Sequence, residues 1–156
     1  MIYFLDSNFL IDAKNWHFPL DKRLDFWKWL LSLGQKDILK IPESVYEEIN
    51  RGNDELVNWI NENKNTFLCK KVECIQSLSS ALAGYGEVTE IDLEQLKADP
   101  YVIAHALAVN GSVVTEERPK ETLVIKNKKI PTVCDGLHIP CLTLPTFMWE
   151  LRGTLP

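Results

Sequence analysis

Short apolar runs, each next to turn residues and a longer segment with helical periodicity, constrain the fold of this chain more than any other feature. Ile2–Leu5 leads directly into Asp6-Ser7-Asn8, and Ser112–Thr115 follows a helical segment that ends at Gly111. Two further runs are expected to form strands: 123–125 and 141–144. Strands this short and apolar are typical of a parallel sheet that helices cover on both faces. The sequence therefore predicts an α/β fold with three α/β/α layers and a central, mainly parallel sheet.

Helical segments are predicted between these runs from the spacing of apolar residues and from capping signals. In one of them, Asp99 is expected to be the N-cap, with Pro100 at the first helical position. Trp27 and Trp29 are two residues apart and cannot share one helix face, which predicts that one of them is exposed and marks a protein interface. The predicted helices span 24–31, 43–49, 53–60, 74–83, 99–108, 130–136 and 145–151.

The composition is that of one globular domain covering residues 1–156, with 46% hydrophobic and 25% charged residues. No apolar stretch is long enough to span a membrane, and the N-terminus lacks the features of a signal peptide, so we expect a cytoplasmic protein. The 17 basic and 22 acidic residues give a net charge of −5. This excludes a nonspecific nucleic-acid coat protein, because an acidic surface repels phosphate backbones. The four cysteines match no zinc-ligand spacing and are expected to be free thiols.

Acidic residues stand where the predicted strands end and where a helix begins. Asp6 closes the first strand, Glu116-Glu117 follows the strand at 112–115, and Asp99 starts the helix before it. Since parallel strands bring their carboxyl ends to one edge of the sheet, these carboxylates are expected to meet and to need a cation. Oxygen ligands of this kind select Mg²⁺ or Mn²⁺, as one or two ions that activate water for phosphodiester displacement. Spacing alone leaves open that the same acids are helix caps, a polar turn, or a solvated helix face at Glu47-Glu48.

Several blocks of sequence, in a fixed order, carry a family resemblance. The first block, 3–11, is an apolar strand followed by an Asp-Ser-Asn turn, and the second, 27–30 with 41–49, places an acid before an aliphatic residue. The third block is 98–104, and the fourth, 112–117, places an acid two residues after a threonine. The last block is 129–134 with 139–142. Together they resemble the PIN domain, the metal-dependent ribonuclease fold of VapC-type toxins, over essentially the whole chain. The last block is most similar to an uncharacterised prokaryotic PIN-like family found in toxin–antitoxin-type loci.

This resemblance implies a metal-dependent endoribonuclease that hydrolyses RNA phosphodiesters as the toxin component of a toxin–antitoxin system. It assigns catalysis and the binding of one or two Mg²⁺ or Mn²⁺ ions to Asp6, Glu48, Asp99 and Glu117. Many PIN nucleases have Asp at the fourth position, where this chain has Glu117, and the adjacent Glu116 competes for the role. The resemblance also implies a homodimer and a cognate antitoxin protein from a neighbouring gene.

Polar and basic residues beside these acids are candidates for supporting roles. Ser7, Asn8, Thr115 and Glu116 are expected to orient a carboxylate or contact phosphate, with simple capping an open alternative for the first three. A basic stretch directly after the fourth acid is a candidate to steer RNA, with solvated loop residues as the alternative. Its RNA-binding candidates are Arg118, Lys120, Lys126, Lys128 and Lys129.

Two other functions remain open from the sequence. One is a PIN-like binding or regulatory module with weak or no nuclease activity. The other is an unrelated α/β phosphotransfer domain built on a strand-end aspartate. Asn8 argues against the latter, because phosphatases of the haloacid dehalogenase type use Asp-x-Asp at this position. His105 lies among apolar helix residues and is expected to be packed rather than catalytic.

Overall fold

The computed structural model describes all 156 residues and contains five short strands. They are β1 (Tyr3–Leu5), β2 (Leu39–Pro42), β3 (Leu68–Cys69), β4 (Ser112–Val114) and β5 (Cys141–Leu142). The strands form one sheet in the order β3-β2-β1-β4-β5, and every neighbouring pair is parallel. β1 lies at the centre, with Phe4 in register with Lys40 on one side and with Val113 on the other. The predicted α/β class and parallel sheet are therefore confirmed.

Ten α-helices connect and cover these strands. They are α1 (Ser7–Asp12), α2 (Leu24–Gln35), α3 (Glu43–Ile49), α4 (Glu55–Glu62), α5 (Lys64–Phe67), α6 (Ile75–Ala83), α7 (Glu90–Leu96), α8 (Asp99–Val109), α9 (Ile130–Gly136) and α10 (Leu144–Glu150). A five-residue π-helix, Ala13–His17, continues α1. No helix has both the length and the apolar character needed to cross a bilayer.

Consecutive residues of β1 show that helices cover both faces of the sheet, because side chains alternate along a strand. The Tyr3 ring packs edge-on against Phe147 of α10, with ring centroids 5.3 Å apart. The next residue, Phe4, points the other way and stacks on His105 of α8 at 5.5 Å. His105 is 3% exposed, which agrees with the packed role predicted for it. A single cluster of 39 buried residues spans the sheet and both helical layers.

Two of the predictions for local structure are wrong. The run 123–125 forms no strand, because it has no partner strand and Leu123 is 95% exposed; a 3₁₀ turn, Ile125–Asn127, begins there instead. Asp99 is the first residue of α8 and not its N-cap, which is Ala98. The Asp99 carboxylate is therefore not used to cap the helix.

The prediction of one exposed tryptophan in α2 is also wrong. Trp27 and Trp29 are 1% and 3% exposed, because neighbouring segments cover α2 on both sides. Trp27 donates a hydrogen bond from Nε1 to the Phe18 carbonyl at 2.8 Å, and Trp29 donates to Thr154 Oγ1 at 2.9 Å. The exposed tryptophans are Trp16 and Trp149. All four cysteines are free thiols, as predicted.

Candidate metal centre

Three carboxylates converge at the carboxyl edge of the sheet. Asp6 directly follows β1, Asp99 begins α8, and Glu117 lies shortly after β4. One oxygen from each of them lies within 4.8 Å of the others. The parallel pairing of β1 with β4 places the ends of these strands side by side, so residues 111 positions apart become neighbours.

Hydrogen bonds to the ends of β1 and β4 hold Asp6 in place. Its Oδ1 accepts from the Ser7 backbone N–H at 2.8 Å, which makes Asp6 the N-cap of α1. Its Oδ2 lies 3.0 Å from the Thr115 hydroxyl, which is also 2.9 Å from Asn8 Oδ1. Asn8 Oδ1 accepts in addition from the Glu116 N–H at 3.0 Å. Asn8 and Thr115 thus connect the start of α1 to the end of β4, and Thr115 contacts Asp6 directly.

The adjacent residues Glu116 and Glu117 accept hydrogen bonds from the first residues of two different helices. Glu117 Oε2 accepts from the N–H of Ile130, the first residue of α9, at 2.9 Å. Glu116 Oε1 accepts from the N–H of Leu144, the first residue of α10. The structure therefore brings Glu117 into the carboxylate cluster and uses Glu116 to cap a helix outside it.

Glu48 lies beside the cluster but is not one of the three carboxylates that converge. Its Oε2 accepts from the Ser7 hydroxyl at 2.7 Å, and its Oε1 accepts from the Ala98 N–H at 2.9 Å. Both oxygens are thus occupied in joining the start of α1 to the start of α8. Glu48 therefore bridges these two helices beside the cluster, and its direct ligand role stays a prediction.

Burial and like charges disfavour ionisation within the cluster. Burial raises the pKa of Asp6 to about 7, the charge of Glu117 adds to this, and hydrogen bonds from Thr115 and Ser7 oppose it. The pKa of Asp99 also rises well above its usual range, first through burial and then through the charges of Asp6 and Glu117. Carboxylates forced together in this way are stabilised by a proton or by a cation.

The donor set fits a hard divalent cation. All three groups present carboxylate oxygens, which suit Mg²⁺ and Mn²⁺ and not softer metals that prefer sulfur or imidazole. One oxygen of each residue lies within 4.8 Å of the others, so Asp6, Asp99 and Glu117 would together hold such an ion.

The predicted RNA-binding residues are distributed unevenly around this centre. Lys129 is partly buried. Its positive charge lowers the pKa of Asp99, whereas burial and the neighbouring carboxylates raise it. Lys128 donates from Nζ to the backbone carbonyl of Tyr85 and is thus occupied in the fold. Arg118, Lys120 and Lys126 are exposed.

A cleft with further charged residues, not identified from the sequence, lies beside Glu48 and is lined by three carboxylates and three cations. It has a volume of about 460 Å³, and Glu48 and Ala98 form part of its wall. Its cations come from distant parts of the chain: Arg51, Lys71 and Lys97. Lys71 pairs with Glu47 at 3.0 Å and lies over the ring of Tyr101, another lining residue. Of the three cations, only Lys97 could have been linked to the site from the sequence, because it directly precedes the Ala98-Asp99 block.

Comparison with known proteins gives a family and a similarity of fold. A crystal structure of VapBC2 from Rickettsia felis bound to a DNA fragment from their promoter contains a similar chain, with a TM-score of 0.54 and 15% sequence identity. The alignment covers 92% of this protein and 98% of that chain, so the similarity is one of overall fold. No curated protein matches the sequence. The family model for DUF4411, a domain of unknown function, matches residues 3–155, and the protein therefore belongs to the DUF4411 family.

Proposed function

We propose that this protein is a metal-dependent endoribonuclease that hydrolyses RNA phosphodiesters at the cluster of Asp6, Asp99 and Glu117. The observation that carries the proposal is the convergence of three carboxylate oxygens at the carboxyl edge of a parallel sheet. Ligand sites of open α/β sheets lie at this edge. The fold similarity to a VapBC2 chain supports a nuclease of the PIN type.

Each residue of the cluster has a role that its surroundings suggest. Asp6, Asp99 and Glu117 would hold Mg²⁺ or Mn²⁺, and a bound ion of this kind lowers the pKa of water and offsets charge on a phosphate. Thr115 and Asn8 keep Asp6 at the end of β1, and Ser7 connects it to Glu48. Glu48 would act by holding α1 and α8 together.

The cleft beside Glu48 is the proposed path for the RNA strand. Arg51 and Lys97 supply positive charge for phosphates along it, beside the lining carboxylates Glu47, Glu48 and Glu94, and Lys129 supplies charge close to Asp99. Tyr101, with Lys71 over its ring, lines the same path. A single strand fits such a site better than a duplex, because its bases are free to turn outward.

The biological role that we propose is that of a toxin held inactive by an antitoxin. The similar chain of known structure comes from the VapBC2 complex, which supports a protein partner for this fold. A homodimer is the proposed assembly.

Expression of the protein alone should arrest bacterial growth, and co-expression of the neighbouring gene should restore it. Normal growth in the presence of abundant, folded wild-type protein would contradict the toxin role but not the nuclease activity.

The adjacent glutamates offer a matched test of the metal centre. We expect Asp99→Asn and Glu117→Gln to lose Mn²⁺ binding and to reduce RNA cleavage by at least about 100-fold, because each removes a cation ligand. Glu116→Gln carries the same chemical change one residue away. It should keep Mn²⁺ affinity and cleavage within about twofold, since Glu116 caps α10 outside the cluster.

Isothermal titration calorimetry with MnCl₂ and a fluorescent single-stranded RNA would measure both properties. Equal losses in the Glu116 and Glu117 variants would point to damage of the loop and against the assigned ligand. If the wild-type protein binds Mn²⁺ and a panel of RNAs but cleaves none of them, it is a binding or regulatory module and not an enzyme.

A further inference from the structure

The connection between α7 and α8 contains a strained residue shortly before Asp99 of the carboxylate cluster. Only Lys97 and Ala98 separate the two helices. Lys97 has φ 55° and ψ −122°, and Ala98 has φ −74° and ψ −23°, which are the conformations of the two central residues of a type II′ turn. Residues other than glycine rarely adopt the first of these conformations. Where one does, the surrounding structure holds it there, and such residues are concentrated at functional sites.

Hydrogen bonds through Glu48 connect this turn with the carboxylate cluster. The Ala98 N–H donates to Glu48 Oε1 at 2.9 Å, and the Ser7 hydroxyl donates to Glu48 Oε2 at 2.7 Å. The Ser7 N–H in turn donates to Asp6 Oδ1 at 2.8 Å. Three hydrogen bonds therefore lead from Asp6 to the residue directly before Asp99, and one oxygen of Asp99 lies within 4.8 Å of an oxygen of Asp6.

The backbone of Lys97 determines where the Ala98 N–H points, because ψ of Lys97 sets the orientation of the peptide group between the two residues. With an ordinary negative φ, the chain would leave α7 in another direction and this N–H would turn away from Glu48. Asp99 is the next residue and would move with it. The side chain of Lys97, in contrast, is exposed in the cleft and forms no ion pair. The fold therefore holds the backbone of Lys97 in place and not its ammonium group.

We propose that Lys97 is a positioning residue of the carboxylate cluster, whose backbone directs the Ala98 N–H to Glu48 and thereby fixes Asp99 beside Asp6 and Glu117. The placement of Asp99 requires no bound ion; the consequence for metal binding rests on the proposed function. Carboxylates that are already in place bind a cation more tightly, since less ordering remains to be done when it binds. Residues that orient ligands from outside the ligand set commonly change metal affinity by about 10–100-fold when they are altered.

Two substitutions that both remove the charge of Lys97 separate its backbone from its side chain. Lys97→Gly permits the observed conformation, so it should melt about 2–4 °C above wild type and keep Mn²⁺ affinity within about twofold in calorimetric titrations. Lys97→Val disfavours the conformation, because a β-branched side chain is poorly tolerated at positive φ, and should weaken Mn²⁺ binding about tenfold or more. Lys97→Thr has a polar branched side chain and replaces Lys97→Val if that variant does not fold.

His138→Val is the matched control. His138 has φ of 59° and precedes β5, at the opposite, amino edge of the sheet. This change places the same branched side chain at a positive φ, so it should lower the melting temperature but keep Mn²⁺ affinity within about twofold of wild type.

Amide hydrogen exchange measured by NMR without metal tests the turn itself. The Ala98 amide should exchange about tenfold faster or more in Lys97→Val, because it loses a charged acceptor. In Lys97→Gly and His138→Val it should exchange within about twofold of the wild-type rate, since the bond to Glu48 is kept.

Other outcomes would overturn the inference. Unchanged Mn²⁺ affinity and unchanged Ala98 exchange in Lys97→Val remove Lys97 from the positioning of Asp99 and leave the proposed nuclease intact. A tenfold loss of Mn²⁺ affinity in Lys97→Gly assigns the effect to the ammonium group instead, and an equal loss in His138→Val assigns it to general destabilisation. Absence of Mn²⁺ binding by the wild-type protein overturns the proposed function, whereas the exchange of the Ala98 amide still decides whether Lys97 directs this N–H to Glu48.

Discussion

At the scale of single residues, Asp6 is a carboxylate whose ionisation the fold disfavours. It is 1% exposed, and the charge of Glu117 acts on it alongside burial. Its folded-state pKa of about 7 compares with an ordinary value of 3.8. The folded protein therefore keeps a proton that the unfolded chain releases as pH rises through about 4. The stability that this proton confers is complete below that pH and is lost as pH rises through about 7.

Asp6→Asn removes this titration and predicts a specific dependence of stability on pH. In EDTA, the melting temperature of the variant relative to wild type should rise between about pH 5 and about pH 8, by several degrees at the usual 2–4 °C per kcal/mol for a chain of this size. Saturating Mn²⁺ at the higher pH should stabilise wild type but not Asp6→Asn. Thermal denaturation at the two pH values measures both effects, and a constant difference between the two proteins would contradict the assigned pKa shift.

At the scale of elements, the connection from α8 to β4 determines how closely β4 approaches β1. Asn110 adopts a left-handed conformation with φ of 54° and ends α8, and Gly111 follows it into the strand. A Cβ atom on Gly111 would lie 2.6 Å from the Ile2 carbonyl oxygen and 3.0 Å from the Phe4 ring. The absence of a side chain therefore lets β4 approach β1 closely enough to pair.

Gly111→Ala is expected to destabilise the protein by about 1–3 kcal/mol, because the backbone of the neighbouring strand cannot yield to the added methyl group. Gly136→Ala is the matched control. A Cβ at Gly136 meets nothing within 4 Å, and alanine is the better helix former in α9, so this change should be neutral or slightly stabilising. Chemical denaturation of both variants measures the difference; equal stabilities would show that β1 and β4 tolerate a wider separation.

The success of sequence-based prediction also varies between elements for physical reasons. β1 and β4 were predicted because they are apolar throughout and adjoin strong capping or stop residues. β2 and β3 were not, since Lys40 interrupts the first and the second contains only Leu68 and Cys69. Asp6, Asp99 and Glu117 could be proposed from strand ends and a resemblance, whereas Arg51 and Lys71 of the cleft could not. These two residues come from separate parts of the chain, and no local pattern shows that the fold brings them together.

At the scale of the whole molecule, the net charge is −5. The carboxyl edge of the sheet carries the acidic cluster and, beside it, a cleft lined by three cations and three carboxylates. Lys36 follows α2 and precedes β2, so it lies at the opposite, amino edge of the parallel sheet. We therefore expect cations at the carboxyl edge to contribute to RNA binding and Lys36, at the amino edge, not to contribute.

The double variant Arg51→Gln and Lys97→Gln should raise the KM for single-stranded RNA by several-fold while leaving Mn²⁺ affinity unchanged. Each lost phosphate contact should also reduce the slope of log affinity against log salt by about 0.7, the value for single strands. Lys36→Gln should change neither quantity. Cleavage and binding assays over a series of salt concentrations provide the measurement, and equal effects of the two changes would exclude the cleft as the RNA path.

The strand order determines when the site can assemble as the ribosome makes the chain. β1 is synthesised first, but it is the central strand and pairs with β2 on one side and with β4 on the other. The second of these pairings cannot form until β4 has been synthesised. Glu117 also needs the N–H of Ile130, which emerges later still. The three carboxylates consequently cannot close their pocket until most of the chain has left the exit tunnel. A truncated or stalled product that ends before residue 112 lacks both β4 and one of the three acids, so translation errors of this kind release a protein without the complete carboxylate cluster.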